Sequence, residues 1–492
     1  MNVLIKNLGP IKNNTQKIDL TKNFYVFVGE NNSGKTYVSQ LLWTIFNEKI
    51  IQRFSEQVEI SIDFENITSI DIDKLLVDDI LAKYAIFIKK ELANTYNIQN
   101  TPFEKTVLGD FSMVFDYDFE RIKSAKFSVA SYANFDKGLA TNFFILDKKE
   151  NELVGTFERM KYFNPDELTN HRIKSYSNIV PLKKGLFVDT IIKLLLNHNH
   201  ITFFLPASRT FYSTFYQYIY GLEREKNEKR MGKVDELLKT TKFSDNEDYF
   251  REKLTEIHNS TKNPYSEPVN KLFEQLYNFN KDIEINENYT SLVEKVATLM
   301  GGSVVMNSIE GISMIDFFFK MNQIDKQLPM YMSSSSVNQL TLLYIYFKYW
   351  TSKNGNFLMI DEPEENLHPK NQIKLLDILI EFASQNSNKV LITTHSPLLA
   401  EAVNNYLYLD VLKNKFGIDP KKIIEENQLE HLNPEVSLSK DNLGVYFFDG
   451  KQIIDYGDDN YGVFFRDFKN VSNAVAKAGE LLTDYIYLKE RE

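Results

Sequence analysis

Apolar and polar positions along this chain separate sheet from helix before any motif is considered. Residues 2–7, 15–20 and 24–28 read as three successive strands, the last being the unbroken run Phe24-Tyr25-Val26-Phe27-Val28. A glycine-rich loop follows, and then Val38, Leu41, Leu42, Ile45 and Phe46 recur at the spacing of one helical face. A further strand-like run, Ile201-Thr202-Phe203-Phe204-Leu205, stops at Pro206, whereas residues 50–200 mix short strands and polar helices around no nameable motif. From Tyr218 to Ala297 the pattern is helical and heavily charged, as in Glu223 to Arg230, with Pro264 and Pro268 as interruptions. Glu225 and Lys229 can pair at i, i+4 on a solvated helix, so the run reads as an exposed helical arm, with a DNA-contacting arm as the second reading. Gly302 to Met321 returns to alternating strands, and the remainder is α/β again, without internal repeat or low-complexity tail. The pattern divides the chain into 1–212, a helical arm over 213–299, and 300–492.

Composition narrows the class. A chain of 492 residues suggests two intimately connected domains. Hydrophobic residues at 43% and charged residues at 25% are the balance of a globular protein rather than a disordered or fibrous one. The absence of cysteine excludes disulfides, thiolate chemistry and cysteine-ligated zinc, and it fits a reducing cytoplasm. The greasiest runs, Leu186 to Leu196 and Leu340 to Trp350, are broken by Asp189, Lys193 and Lys348 and are too short to span a bilayer. Met1 to Lys6 reads as a strand and not as an export signal, so a cytoplasmic protein with no membrane partner is expected. With 57 basic and 67 acidic residues the formal charge is −10. That sign weighs against a protein that coats nucleic acid non-specifically, although a local basic patch stays compatible with it.

Four motifs carry the candidate chemistry. Gly29-Glu30-Asn31-Asn32-Ser33-Gly34-Lys35-Thr36 is a full G-x-x-x-x-G-K-[ST] phosphate loop between a strand and a helix. Its glycines let backbone N–H groups curl around phosphate oxygens, and the following helix adds its positive N-terminal end. Lys35 would reach the β- and γ-phosphates of ATP, and the Thr36 hydroxyl would bind Mg²⁺. Phe357-Leu358-Met359-Ile360 reads as a buried strand that ends in Asp361 and Glu362. Asp361 is placed to hold Mg²⁺, and Glu362 to polarise the water that attacks the γ-phosphate. Val390 to Pro397 is a second buried strand ending in His395, at the sheet edge where phosphates sit, so His395 is a candidate γ-phosphate contact. Ser333-Ser334-Ser335-Ser336-Val337-Asn338-Gln339 leads into an apolar helix, and taken alone it reads as a helix cap.

In this order the four motifs resemble the ABC-class ATPases of the OLD, RecF and SMC group, and the phrasing is closest to the OLD-like branch. Asp361 to Pro369 is similar to that branch's extended Walker B and D-loop, Thr393 to Pro397 to its H-loop, and Leu205-Pro206-Ala207-Ser208-Arg209 to a strand-end segment of the same branch. The likeness covers roughly residues 1–45, 200–212 and 300–410. It implies an α/β P-loop fold of the ABC type with a large helical insertion. It also implies a homodimer or higher homo-oligomer in which two subunits enclose two Mg·ATP, and a catalytic pair Glu362 and His395. The phosphate loop of Gly29, Asn31, Asn32, Ser33, Gly34, Lys35 and Thr36 would be closed in trans by Ser334, Ser335 and Ser336, with Ser334 as the signature serine. Two features depart from the pattern: Ser336 stands where a glycine is usual, and no Q-loop glutamine can be placed. Both bear on turnover and point to slow hydrolysis.

Some OLD-like proteins carry a C-terminal metal nuclease. Asp455, Asp458 and Asp459 lack the required order and read as loop residues. The resemblance therefore implies a stand-alone ATPase subunit like those of the anti-phage systems Septu and PARIS, acting as sensor or regulator of a separate effector, a nuclease or toxin. The alternative is a RecF- or SMC-like DNA-dependent ATPase of genome maintenance, in which nucleic acid is the partner. A transporter's nucleotide-binding subunit is disfavoured by the length of the insertion.

Overall fold

The computed structural model describes the chain apart from residues 65, 137–138, 160–174, 177–178, 199, 208, 211–231, 233–264, 280–282, 309–314, 323, 325, 354, 430–431, 457–460 and 491–492. The fold is mixed α/β and is organised on a six-stranded sheet. Its strands lie in the order Ile201–Leu205, Asn356–Asp361, Lys389–Thr394, Phe24–Gly29, Leu443–Phe448, Ile453–Asp455. The first five run parallel and the last pairs antiparallel. The strands of Phe24, Asn356, Lys389 and Leu443 are buried at every position, which is why their sequences read as continuous apolar runs and not as alternation. Helix Lys35–Phe46 packs on this sheet through Val38, Leu41, Leu42, Ile45 and Phe46, all fully buried, as the spacing predicts. Each such side chain removed from water contributes roughly 1.5–3 kcal/mol.

Three further sheets complete the architecture, two of them antiparallel and the five-stranded one mixed. The opening strand Asn2–Lys6 lies between Lys17–Asp19 and Ser112–Asp116. A five-stranded sheet occupies part of the region between residues 69 and 176 that carries no nameable motif. The alternation over Gly302 to Met321 is a hairpin of Gly302–Ser308 with Ile315–Met321, extended by Gln327–Pro329. No helix among the described residues is long and apolar enough to cross a membrane.

Two readings of the sequence need correction. The charged run Glu223 to Arg230 lies outside the described residues, but the C-terminal part of the stretch read as an arm is packed along one face and solvated only on the other. Helix Glu267–Tyr277 buries Val269, Leu272, Phe273 and Leu276, and helix Thr290–Met300 buries Leu292, Val293, Val296 and Met300. The turn between them is fastened to the sheet by Tyr289, whose hydroxyl lies 3.1 Å from the side-chain nitrogens of both Asn356 and Asn388. The dense charge of the preceding segment masked this apolar periodicity. Asp455, read as a loop residue, closes the edge strand and pairs with Tyr446; a three-residue strand leaves no periodic signal. Asp458 and Asp459 lie outside the described residues.

Lys389 opens its strand fully buried, with Nζ donating to the carbonyls of Lys22 (2.8 Å) and Leu20 (3.2 Å). Burial pulls its pKa down to about 7, against the pull of Asp19 in the other direction. The folded state therefore binds this proton less well than the unfolded chain. The stability that follows is complete above the ordinary lysine pKa and is lost as the pH falls to about 7. Chemical denaturation of wild type and Lys389→Met between pH 7 and 10 should show stability rising more steeply with pH in the wild type, by up to a few kcal/mol over the window. Parallel curves would mean that the lysine is not desolvated in solution.

Candidate functional site

Backbone geometry explains the glycines of the phosphate loop. Gly29 ends its strand at φ +149°, and a Cβ there would come within 2.2 Å of the Phe448 carbonyl oxygen on the neighbouring strand. Gly34 adopts φ +105° directly before the helix, where a Cβ would press on Ile11 and Pro10. Asn32 also has positive φ. The loop thus curls back over the helix start with both ends fixed by close packing. Lys35 is buried, and its Nζ donates to the carbonyls of Gly29 at 3.0 Å and Glu30 at 2.8 Å. Burial pulls the ammonium down to about 8, although Glu362, Asp361 and Glu364 all favour its charged form.

The two carboxylates leave the neighbouring strand in different environments. Asp361 is buried, and its Oδ1 accepts from Thr393 Oγ1 at 3.0 Å and Ser39 Oγ at 3.5 Å. Burial pushes its pKa up to about 6, partly countered by hydrogen bonds from the Thr393 and Thr36 hydroxyls. Glu362 is partly exposed, and its Oε1 sits 3.3 Å from His395 Nε2. Burial and the nearby Lys35 hold the imidazole below its ordinary pKa, with Glu362 and Glu364 pulling the other way. Glu362 itself has φ +48°, a left-handed backbone that costs a side-chain-bearing residue roughly 1–2 kcal/mol. The turn from strand into loop re-aims its side chain at His395 instead of continuing the sheet.

The structure thus brings Lys35, Thr36, Asp361, Glu362 and His395 to the carboxyl edge of the parallel strands. Among the described residues no hydrogen bond joins the serine run to that loop. Ser334 caps helix Ser335–Ile345 by accepting from Val337 N at 3.3 Å, and its Oγ meets Ser336 Oγ at 2.9 Å. Ser334 and Ser335 are exposed, and the bonds of the run are local. Ser336 lies in the first helical turn without positive φ, so the local backbone makes no demand for glycine there.

Sequence reasoning assigned no role to two residues that organise the site. Glu364 Oε1 accepts from Thr394 Oγ1 at 2.6 Å, His395 N at 2.9 Å and Ser396 N at 3.1 Å, and so fixes the turn that presents His395. Arg209 is buried and donates to four backbone carbonyls, those of Asp361, Pro206, Glu362 and Gln339. The only hint of Arg209 was its place in the strand-end segment after Leu205, since a lone arginine beyond a strand carries no periodic signal.

A buried lysine on a glycine-bounded loop, facing paired carboxylates at the carboxyl edge of parallel strands, is the arrangement of nucleotide-hydrolysing proteins. In comparison with known families, the AAA ATPase domain family matches residues 1–400, and all four motifs lie inside that match. The chain belongs to the AAA ATPase domain family. Among curated proteins none matches this AAA ATPase. Solved structures that align with it include the Smc head domain with an extended coiled coil bound to the C-terminal domain of ScpA, from Pyrococcus furiosus. That alignment has 10% identity, TM-score 0.30, and covers 92% of this chain and 95% of the other. The SMC head domain from Thermotoga maritima aligns at 11% identity with TM-score 0.27, over 92% and 97% of the two chains.

The close approach at Gly29 supplies a test of the loop's packing. Gly29→Ala should lower unfolding stability by at least about 2 kcal/mol in a denaturant titration, because the clash is with backbone and not with a movable side chain. An unchanged midpoint would show that the neighbouring strand yields.

Proposed function

We propose that this AAA ATPase binds Mg·ATP on the loop Gly29 to Thr36, hydrolyses it slowly between two copies of the chain, and uses that cycle to control a separate effector protein. The observation that carries the reading is the convergence of Lys35, Asp361, Glu362 and His395 at one sheet edge, while the serine run faces outward from the same chain. Lys35 and the loop N–H groups, with Asn31, Asn32 and Ser33, would hold the phosphates. Thr36 and Asp361 have the donor chemistry for Mg²⁺: a buried carboxylate surrounded by hydroxyl groups is an oxygen set that a hard cation suits. The cation supplies charge neutralisation at the phosphates.

Glu362 then acts on water. Its carboxylate is partly exposed and beside a neutral imidazole, so it can accept a proton from a water aligned on the γ-phosphate while His395 steadies that phosphate. Ser334, Ser335 and Ser336 of a second copy would cap the same phosphate, which is consistent with the exposure of Ser334 and Ser335 and the local bonding of the run. The effector role, a nuclease or toxin held by an anti-phage ATPase subunit, rests on the OLD-like phrasing of Asp361 to Pro369 and Thr393 to Pro397. Location in the cytoplasm belongs to the same reading.

Three measurements test it. Glu362→Gln should retain ATP and lose hydrolysis by about 10²- to 10⁴-fold, and Lys35→Ala should lose nucleotide affinity. A wild-type rate in Glu362→Gln would remove the general-base assignment. Mixing Lys35→Ala with Ser334→Glu should restore activity lost by each alone, because one composite site then has both sound halves; no restoration would count against closure in trans. Steady-state hydrolysis indifferent to linear double-stranded DNA fits control by a protein partner, whereas strong stimulation would favour the DNA-dependent alternative.

A further inference from the structure

We infer that Arg209 is a positioning residue for hydrolysis: its guanidinium clamps the left-handed backbone of Glu362 and ties that residue to the helix that begins at the serine run. The inference rests on Glu362 being the general base. Arg209 Nη1 donates to the Asp361 carbonyl at 2.6 Å and Nη2 to the Glu362 carbonyl at 3.2 Å. These two oxygens flank the Glu362 Cα, so one rigid planar fork fixes the torsions on both sides of it. On the opposite side, Glu362 N donates to the Thr393 carbonyl at 3.0 Å and lies 3.2 Å from Thr393 Oγ1. A glutamate at φ +48° persists only when its surroundings over-determine it, and these contacts are the restraints.

The same guanidinium reaches two other elements. Nη1 also donates to the Pro206 carbonyl at 2.9 Å, at the end of strand Ile201–Leu205, and Nε donates to the Gln339 carbonyl at 3.4 Å. Gln339 lies in helix Ser335–Ile345, whose N-cap is Ser334. One buried cation therefore joins the edge strand, the base-bearing turn and the serine-run helix. A displacement of that helix, when a second copy docks on its N-terminus, is felt at the carbonyls on either side of Glu362. Burial lowers the guanidinium to about 10 against the opposing pull of Glu365, Asp361, Glu364 and Glu362, so it remains charged at neutral pH and all its N–H donors are retained.

Lysine keeps the charge but offers a point donor in place of the fork. Arg209→Lys should bind ATP within about twofold of wild type and melt cooperatively, while kcat falls about 10- to 100-fold through misplacement of Glu362. In a Glu362→Gln background the same change should cost no further rate, because both substitutions act on one step. A kcat within twofold of wild type would overturn the inference, as would a rate loss matched by an equal loss of ATP affinity, or additive losses in the double variant. If Arg209→Lys does not fold, Arg209→Gln carries the same measurements, and failure of both to fold would make Arg209 a keystone of the fold and not a positioning residue. Loss of hydrolysis in Glu362→Gln alongside an active Arg209→Lys sinks only this inference. A fully active Glu362→Gln sinks the base assignment beneath it.

Discussion

Parallel pairing places Gly29 opposite Phe448, Val28 opposite Thr394, and Asp361 opposite Thr393. That register is the constraint on which the site depends, because it levels the phosphate loop and the carboxylate turn at one edge and sets the His395 turn directly after them. Side chains on a strand alternate faces, so a slip of one residue would turn Asp361 away from the Thr393 and Ser39 hydroxyls. The buried apolar runs hold the register, since a slip anywhere would expose or clash several of Phe24, Val26, Leu358, Ile360, Leu391 and Ile392. The close packing of Gly29 against the Phe448 carbonyl then pins the loop in depth. The chemistry is placed by packing first and by polar contacts second.

Charge gives the second layer of order. Lys35 and Arg209 are buried cations, and Asp361, Glu362, Glu364 and Glu365 surround them. Taking ions out of water costs several kcal/mol each, and only mutual attraction and hydrogen bonds offset it. The balance is uneven. Arg209 has four carbonyl acceptors and stays charged, Lys35 falls to about 8, and Asp361, held mainly by hydroxyl donors, rises to about 6. Burial wins over hydrogen bonding at Asp361, and it is also the group whose surroundings suit a divalent cation in the proposed function.

Much of this was legible in the sequence, for physical reasons that can be named. Phe24 to Val28, Phe357 to Ile360 and Val390 to Ile392 are short apolar runs because both faces of their strands are covered, and the residues that follow each run had to be at a sheet edge. Gly29 and Gly34 declare a backbone that other residues avoid. Arg209 and Glu364 could not be read in the same way, because most of their partners are backbone atoms: Arg209 holds four carbonyls, and Glu364 the N–H groups of His395 and Ser396 beside the Thr394 hydroxyl. Side chains that bond to backbone leave no paired residue type to find in a sequence. Helices Glu267–Tyr277 and Thr290–Met300 fall in a stretch that reads as helical, but their buried faces were hidden by a different cause, the charged segment that precedes them.

The opposite edge of the same sheet shows why buried polarity alone is a poor guide to function. There Lys389 is fully buried, and Asn356, Asn388 and Tyr289 form a network that Asn386 joins. Lys389 spends its donors on the Leu20 and Lys22 carbonyls, and the Asn388 amide bridges Asn356 N, the Tyr289 hydroxyl and the Phe382 carbonyl. These groups bond to one another and to nearby backbone, which is what a fastening between the Tyr289 turn and the sheet requires. At the carboxyl edge the partly exposed Glu362 and His395 face each other from turns, one of them held in a left-handed backbone, and the serine run is held only by local bonds. Strain and charge kept partly open to solvent, at the end of strands whose interior is closed, separate a site from a fastening in this molecule.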